Sequence, residues 1–318
     1  MNNTTHISLS LATTLALLSS ISCNSQTSRE TSADSSPEAI KYEEQVDVKQ
    51  MYKDTKKLVK NRRYAEATVS YTWLWNNMTL HDQSMRGVRS SFMASDLNKL
   101  INVYADARPV FTKIRDDIEA DALKVNPDQQ LLRDWIVLSH RVLNDDDRVE
   151  QWAIEMDQTP DGRELLRKNY YNLRSLLIDR NHYAIYGRAL PSGDSRLSRF
   201  IENYESTSKI DLEILQRHDQ NKQIDDVIRI ATRDGSYRHF AQSIGQSHIA
   251  YLAAGRDEEA WYVLKGGLDA VNERVVHNTI LELLLKNNAT RPEHLELFNL
   301  GDAYLLEKCQ SQAMNHKS

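Results

Sequence analysis

Cysteine is almost missing from this chain of 318 residues: Cys23 and Cys309 are the only two. No disulfide framework can hold the fold, and packing must do that work. The chain has only 10 Gly and 6 Pro. The prolines (Pro37, Pro109, Pro127, Pro160, Pro191 and Pro292) stand far apart, which disfavours many short strands joined by tight turns and favours long helices. Positive charge is not in excess: 40 Lys and Arg against 45 Asp and Glu give a net charge of −5, with the signs mixed along the chain. Nucleic acid is therefore not expected as a partner. Gly-x-Gly-x-x-Gly, the Walker pattern and a Ser nucleophile elbow are all absent, and none of the 10 histidines falls in a His-Glu-x-x-His or comparable ligand pattern. Neither a cofactor, a metal site nor a catalytic residue is expected from such a sequence.

What is present begins with an address. Met1 to Cys23 runs from a short polar start through the apolar stretch Ile7 to Leu18 into Ser20-Ile21-Ser22-Cys23. The apolar run is too short to span a membrane as a helix and has the layout of a secretory signal peptide. Its last four residues resemble the bacterial lipobox, in which small or aliphatic residues precede a Cys that is lipidated and becomes the new N-terminus. That resemblance implies a lipid anchor at Cys23 and a place in the cell envelope or periplasm, with soluble secretion as the alternative. Asn24 to Pro37 is rich in Ser and Thr and has no apolar residue larger than Ala, so it cannot join a core and is expected to be a disordered tether. The organisation expected is a signal peptide over 1–22, a tether over 23–40, a helical domain over 41–312 and a disordered tail over 313–318.

Within the helical part the clearest stretch is Arg62 to Trp75. It puts Tyr64, Ala67, Tyr71 and Leu74 on one helical face. The run Val46 to Asn61 before it forms a first helix, with Asn61 as a left-handed stop. The same turn-then-helix pattern returns at Ala254 to Leu264 and, less fully, at Ser95–Leu100, Asn144–Trp152 and Arg180–Tyr186. Taking Ala67, Leu100, Trp152, Tyr186 and Ala260 as equivalent gives steps of 33, 52, 34 and 74 residues. Two of these lie beside a period of about 34. Gln129 to Leu143 carries an apolar stripe of Leu132, Trp135, Ile136, Ser139 and Val142. Gly162 to Asp179 carries Leu165, Leu166, Tyr170, Leu173, Leu176 and Leu177. Asp234-Gly235-Ser236 is expected to break one helix from the next, Asp194 or Ser195 to cap another, and Leu295 to Glu307 to close a final hairpin with Asn278 to Lys286.

Helical hairpins at this spacing resemble tetratricopeptide repeats, carried best by Tyr64, Ala67, Tyr71 and Leu74 in the first copy and by Tyr251, Ala260 and Leu264 in the last. The resemblance implies an all-α fold: an α-solenoid of stacked antiparallel hairpins winding into a right-handed superhelix. It also implies a groove that receives a protein or peptide partner and no enzymatic activity. Trp73 and Trp75 cannot both face the core of one helix, so Trp75, Met78, Arg86 and Arg89 form the candidate recognition surface, Trp and Arg being frequent at interface hot spots. An envelope hydrolase or polysaccharide-acting enzyme on a helical scaffold is the alternative, with paired carboxylates brought together from distant segments. His182 is expected at a hairpin turn, and His248 as a packed, hydrogen-bonded imidazole.

Overall fold

A computed structural model describes the backbone of residues 46–219 and 226–315, with side chains over 46–209 and 233–315. The expected signal peptide and tether, Cys23, and residues 316–318 lie outside the described residues. Every element within them is helical, and no strand occurs among them. In chain order they are α1 (Val48–Lys60), α2 (Tyr64–His81), α3 (86–103), α4 (Ala107–Ala122), α5 (129–142), α6 (Asp146–Met156), α7 (Pro160–Asp179), α8 (Tyr183–Ala189), α9 (Gly193–Asp219), α10 (Asp226–Ala253), α11 (Asp257–Ala270), α12 (Arg274–Lys286) and α13 (Ala303–Asn315). α3 and α5 each contain a π turn, at Arg89–Met93 and Val137–Val142. No helix among the described residues is long and apolar enough to cross a membrane.

Tight turns with one left-handed residue each end the first helix of a pair. These residues are Arg62 (φ 60), Asn181 (φ 60), Gly255 (φ 71) and Asn288 (φ 52). In every case the following N–H reaches back to the carbonyl five residues earlier: Arg63 to Leu58, His182 to Leu177, Arg256 to Tyr251 and Ala289 to Leu284. This Schellman closure satisfies carbonyls that a helix end leaves over. The first stop is therefore Arg62, not Asn61, whose φ is −86. A fifth left-handed residue, Asn144 (φ 54), follows the π turn of α5. There the reach lengthens to six residues, from Asp145 N to Ser139 O, because the π turn has already widened the ladder. Five positions past three of these turns stand Ala67, Tyr186 and Ala260, all fully buried, and Leu100 and Trp152 are buried too.

Helix starts are set by side chains. Asp47 accepts from Gln50 N, Asp128 from Gln130 N and Leu131 N, and Thr159 from Gly162 N with Pro160 following it. At α9 the cap is Ser192, whose Oγ accepts from Ser195 N, two residues ahead of Asp194 and three ahead of Ser195, the expected caps.

Extensive packing joins helices adjacent or next but one in the chain: α1 with α2, α3 with α5, α7 with α8, α8 with α10, α9 with α11, α10 with α11 and α12. The apolar interior falls into two clusters. The first takes Val48 to Phe111 together with Val137, Leu138, Val142 and Leu143, and the second runs from Ala122 through Trp135 and Ile136 to Cys309. The changeover lies in α5, where the π turn starting at Val137 shifts the helical phase. Ile118 packs against both clusters. Gly266 and Gly267 permit a close crossing: a Cβ on Gly266 would stand 2.3 Å from Leu197 Cδ2, and one on Gly267 2.8 Å from Ile244 Cδ1.

Three boundaries differ from the sequence reading. α10 runs unbroken through Gly235, since burial of Tyr237, Phe240, Ala241 and Ile244 outweighs a glycine's cost of about 1 kcal/mol in a helix. The last helix starts at Ala303 rather than Leu295; residues 295–302 bury Phe298 in irregular backbone instead. It continues to Asn315 with Ala313 buried, so 313–315 are helical and not a disordered tail.

Candidate functional site

The residues singled out from the sequence as a recognition surface do meet, but mostly in the interior. Trp75 is 3% exposed, Met78 0% and Arg89 5%. Arg89 lies over the Trp75 ring at 5.1 Å, donates from Nη1 to the Trp75 carbonyl at 2.7 Å, and forms a buried ion pair with Asp134. Burial pushes the Asp134 carboxyl up, with Arg89 opposing it. These three residues thus form a structural cluster where α2, α3 and α5 converge, and they present no surface. The reason is one of phase: the face of α2 that carries Tyr71 and Leu74 also carries Trp75 and Met78, while Trp73 turns to the half-buried side and stacks on His81. Arg86 alone of the four is exposed.

Arg86 borders a cleft of about 1020 Å³ built by α3, α5, α7, α9 and α10. Arg133, Lys168, Arg174, Arg196, Arg199 and His239 also line it, and among the described residues no Asp or Glu does. Its aromatic walls come from Tyr170, Tyr171, Phe200, Tyr204 and Phe240. In a chain with net charge −5 such a lining is unusual.

At the cleft, two arginines from different helices converge on one face of α10. Arg174 of α7 donates to Gln246 Oε1 at 2.7 Å and to Ser243 Oγ at 3.4 Å. Arg196 of α9, 4% exposed, donates to Tyr186 OH at 3.1 Å and Ser247 Oγ at 3.4 Å. Its guanidinium also sits 4.3 Å from the Phe200 ring centroid and 5.3 Å from that of Tyr170. Burial lowers the pKa of Arg174, and the neighbouring Arg196 charge pushes the same way. Beside them Arg141 donates to Ser90 O at 3.2 Å and lies over Tyr171, and burial lowers its pKa too.

The arginines that are not exposed divide into two sets. Arg89, Arg115, Arg256 and Arg291 each pair with a carboxylate: Asp134, Asp145, Glu259 and Asp257 respectively. Arg133, Arg141, Arg174 and Arg196 have no carboxylate partner among the described residues, and all four stand in or against this one cleft. The charge of these four arginines is concentrated there with no carboxylate partner among the described residues, a field that attracts anions.

His182, His248 and His294 are not among the residues that line the cleft. His182 sits at the α7–α8 turn against Glu150. His248 and His294 meet Nε2 to Nε2 at 2.7 Å, both fully buried. The Ala260 carbonyl accepts from His248 Nδ1 and the Arg291 N–H donates to His294 Nδ1. His294 is therefore the Nε2–H donor of the pair and His248 the acceptor. Among the described residues no three His, Cys, Asp or Glu side chains are placed to hold a metal ion.

Fold and cleft together define an all-helical protein with a cationic, aromatic-walled cleft. Comparison with protein-family models, with characterised proteins and with solved structures gives no match to this chain.

Proposed function

We propose that this chain is a non-enzymatic binding scaffold: a solenoid of tetratricopeptide-like hairpins, exported and held at the cell envelope by a lipid on Cys23, that receives a protein or peptide partner. The observation that carries the binding reading is the cleft, five helices wide, with cations and aromatic rings and no carboxylate among the described residues of its lining. The near-identical Schellman turns and the packing of sequence neighbours support the repeat reading. The lipobox-like Ser20-Ile21-Ser22-Cys23 supports the anchor. A hydrolase needs two carboxylates facing one cleft, and the cationic lining is the reason the scaffold reading is preferred.

Two experiments test it. Crosslinking in envelope extracts should capture the same partner repeatedly, and Lys168→Glu with Arg199→Glu on the exposed rim should abolish capture. Capture indifferent to that reversal would remove the cleft from the binding reading. Incorporation of radiolabelled lipid should vanish in Cys23→Ser, and unchanged label would retire the anchor.

A further inference from the structure

We infer that the floor of this cleft, where Arg174 and Arg196 converge, is a subsite for the phosphate group of an organic phosphomonoester. This goes beyond the scaffold reading and stands whether or not a protein occupies the outer cleft. The argument starts from neutralisation. The two other most deeply buried guanidiniums among the described residues, those of Arg89 and Arg115, each meet a carboxylate. Arg174 and Arg196 instead line one cleft and bond to neighbouring positions of α10, and their described hydrogen bonds go to the neutral groups Gln246, Ser243, Ser247 and Tyr186. Two like charges held together by three helices, with no anion among their described partners, are an incomplete site. Arg174 keeps Nε and Nη1, and Arg196 keeps Nη1, without a described hydrogen-bond acceptor. Those donors suit the fork geometry that arginine offers to an oxyanion.

Charge selects the anion. A carboxylate or a sulfate ester carries one negative charge and would leave one of the two arginines uncompensated. A phosphomonoester carries about −1.5 to −2 near neutral pH and has three acceptor oxygens. Size selects an organic ligand, because a cleft of about 1020 Å³ is far larger than a phosphate ion and falls at the upper end of small-molecule sites. The aromatic walls Tyr171, Tyr204 and Phe240 offer flat apolar contact to the remainder of such a molecule.

The test is calorimetric titration of the protein with phenyl phosphate and with phenyl sulfate, molecules of one shape that differ in charge. Phenyl phosphate should bind at least tenfold more tightly than phenyl sulfate. Arg174→Gln and, separately, Arg196→Gln should each weaken phenyl phosphate at least tenfold, with helical circular dichroism retained. Equal binding of the two probes, no binding of phenyl phosphate, or affinity unchanged in a folded variant would overturn the inference. Should Arg196→Gln fail to fold, Arg174→Gln and the wild-type comparison of the two probes still decide it. Flotation with vesicles of phosphatidic acid, against phosphatidylcholine alone, identifies the source: recruitment lost in Arg174→Gln marks a lipid phosphomonoester, and binding confined to soluble phenyl phosphate marks a free one. Failure of the wild-type protein to capture any partner, with phosphate binding intact, would remove the scaffold reading and leave this subsite standing.

Discussion

Arg89 and Arg196 are almost equally buried, yet their surroundings predict opposite responses to removal. Arg89→Met leaves the buried Asp134 carboxylate without its counter-ion and should cost about 3–5 kcal/mol in chemical denaturation. The double variant Arg89→Met/Asp134→Leu should recover much of that loss. Arg196→Met removes a charge that no described carboxylate opposes, so stability should hold within about 1 kcal/mol or rise. The histidine pair gives a pH dependence at the same scale. Burial lowers His248 to about 4 and His294 to about 3. In the unfolded chain both titrate near the ordinary histidine value, so below about pH 6.5 the unfolded state binds protons that the native state refuses. Stability should therefore be full above about pH 6.5 and decline as the pH falls toward 4. Urea midpoints across that range check this, and His248→Gln should flatten the slope. Arg174 and Arg196 were legible as chemistry-bearing only in retrospect: each lies on an apolar helical stripe, Tyr170, Leu173 and Leu177 for one and Phe200 and Tyr204 for the other, with no acid at i±3 or i±4. Which neighbours such an arginine meets depends on helices distant in sequence.

Elements obey local rules more closely. The left-handed turn residues are Arg, Asn, Gly and Asn, and the backbone hydrogen bonds around them are the same whichever residue is used. Gly255 has φ 71 with no atom within 4 Å of an added Cβ, so Gly255→Ala should lower stability by about 1–2 kcal/mol through backbone strain alone. A loss well below that, measured by denaturation, would mean that the turn relaxes. Pattern reading placed the hairpin turns around Asn61, Asn181 and Gly255, missing the first left-handed residue by one position, because Gly, Asn and charged residues interrupt an apolar period there. It failed at Gly235 and at Leu295, where tertiary burial overrides local preference in opposite directions: one glycine is carried through a helix, and one apolar stretch is held out of helix.

At the scale of the molecule the two apolar clusters matter most. They meet at α5 and share Ile118 at their border. Leu74→Ala opens a cavity in the first and Leu264→Ala one in the second, each at a cost of about 2–5 kcal/mol. Native-state hydrogen exchange should then show protection lost chiefly over 48–111 in the former and over 237–284 in the latter. Uniform loss in either variant would show that the clusters unfold as one. The sequence by itself determined the helical character, the hairpin turns and the apolar stripes, because these follow from periods of 3.6 residues and from single-residue backbone preferences. Only the tertiary structure decided that Trp75, Met78 and Arg89 turn inward and that arginines from α5, α7 and α9 gather around one cleft. Burial and counter-ion pairing are properties of a residue's spatial neighbours, which come from helices far along the chain.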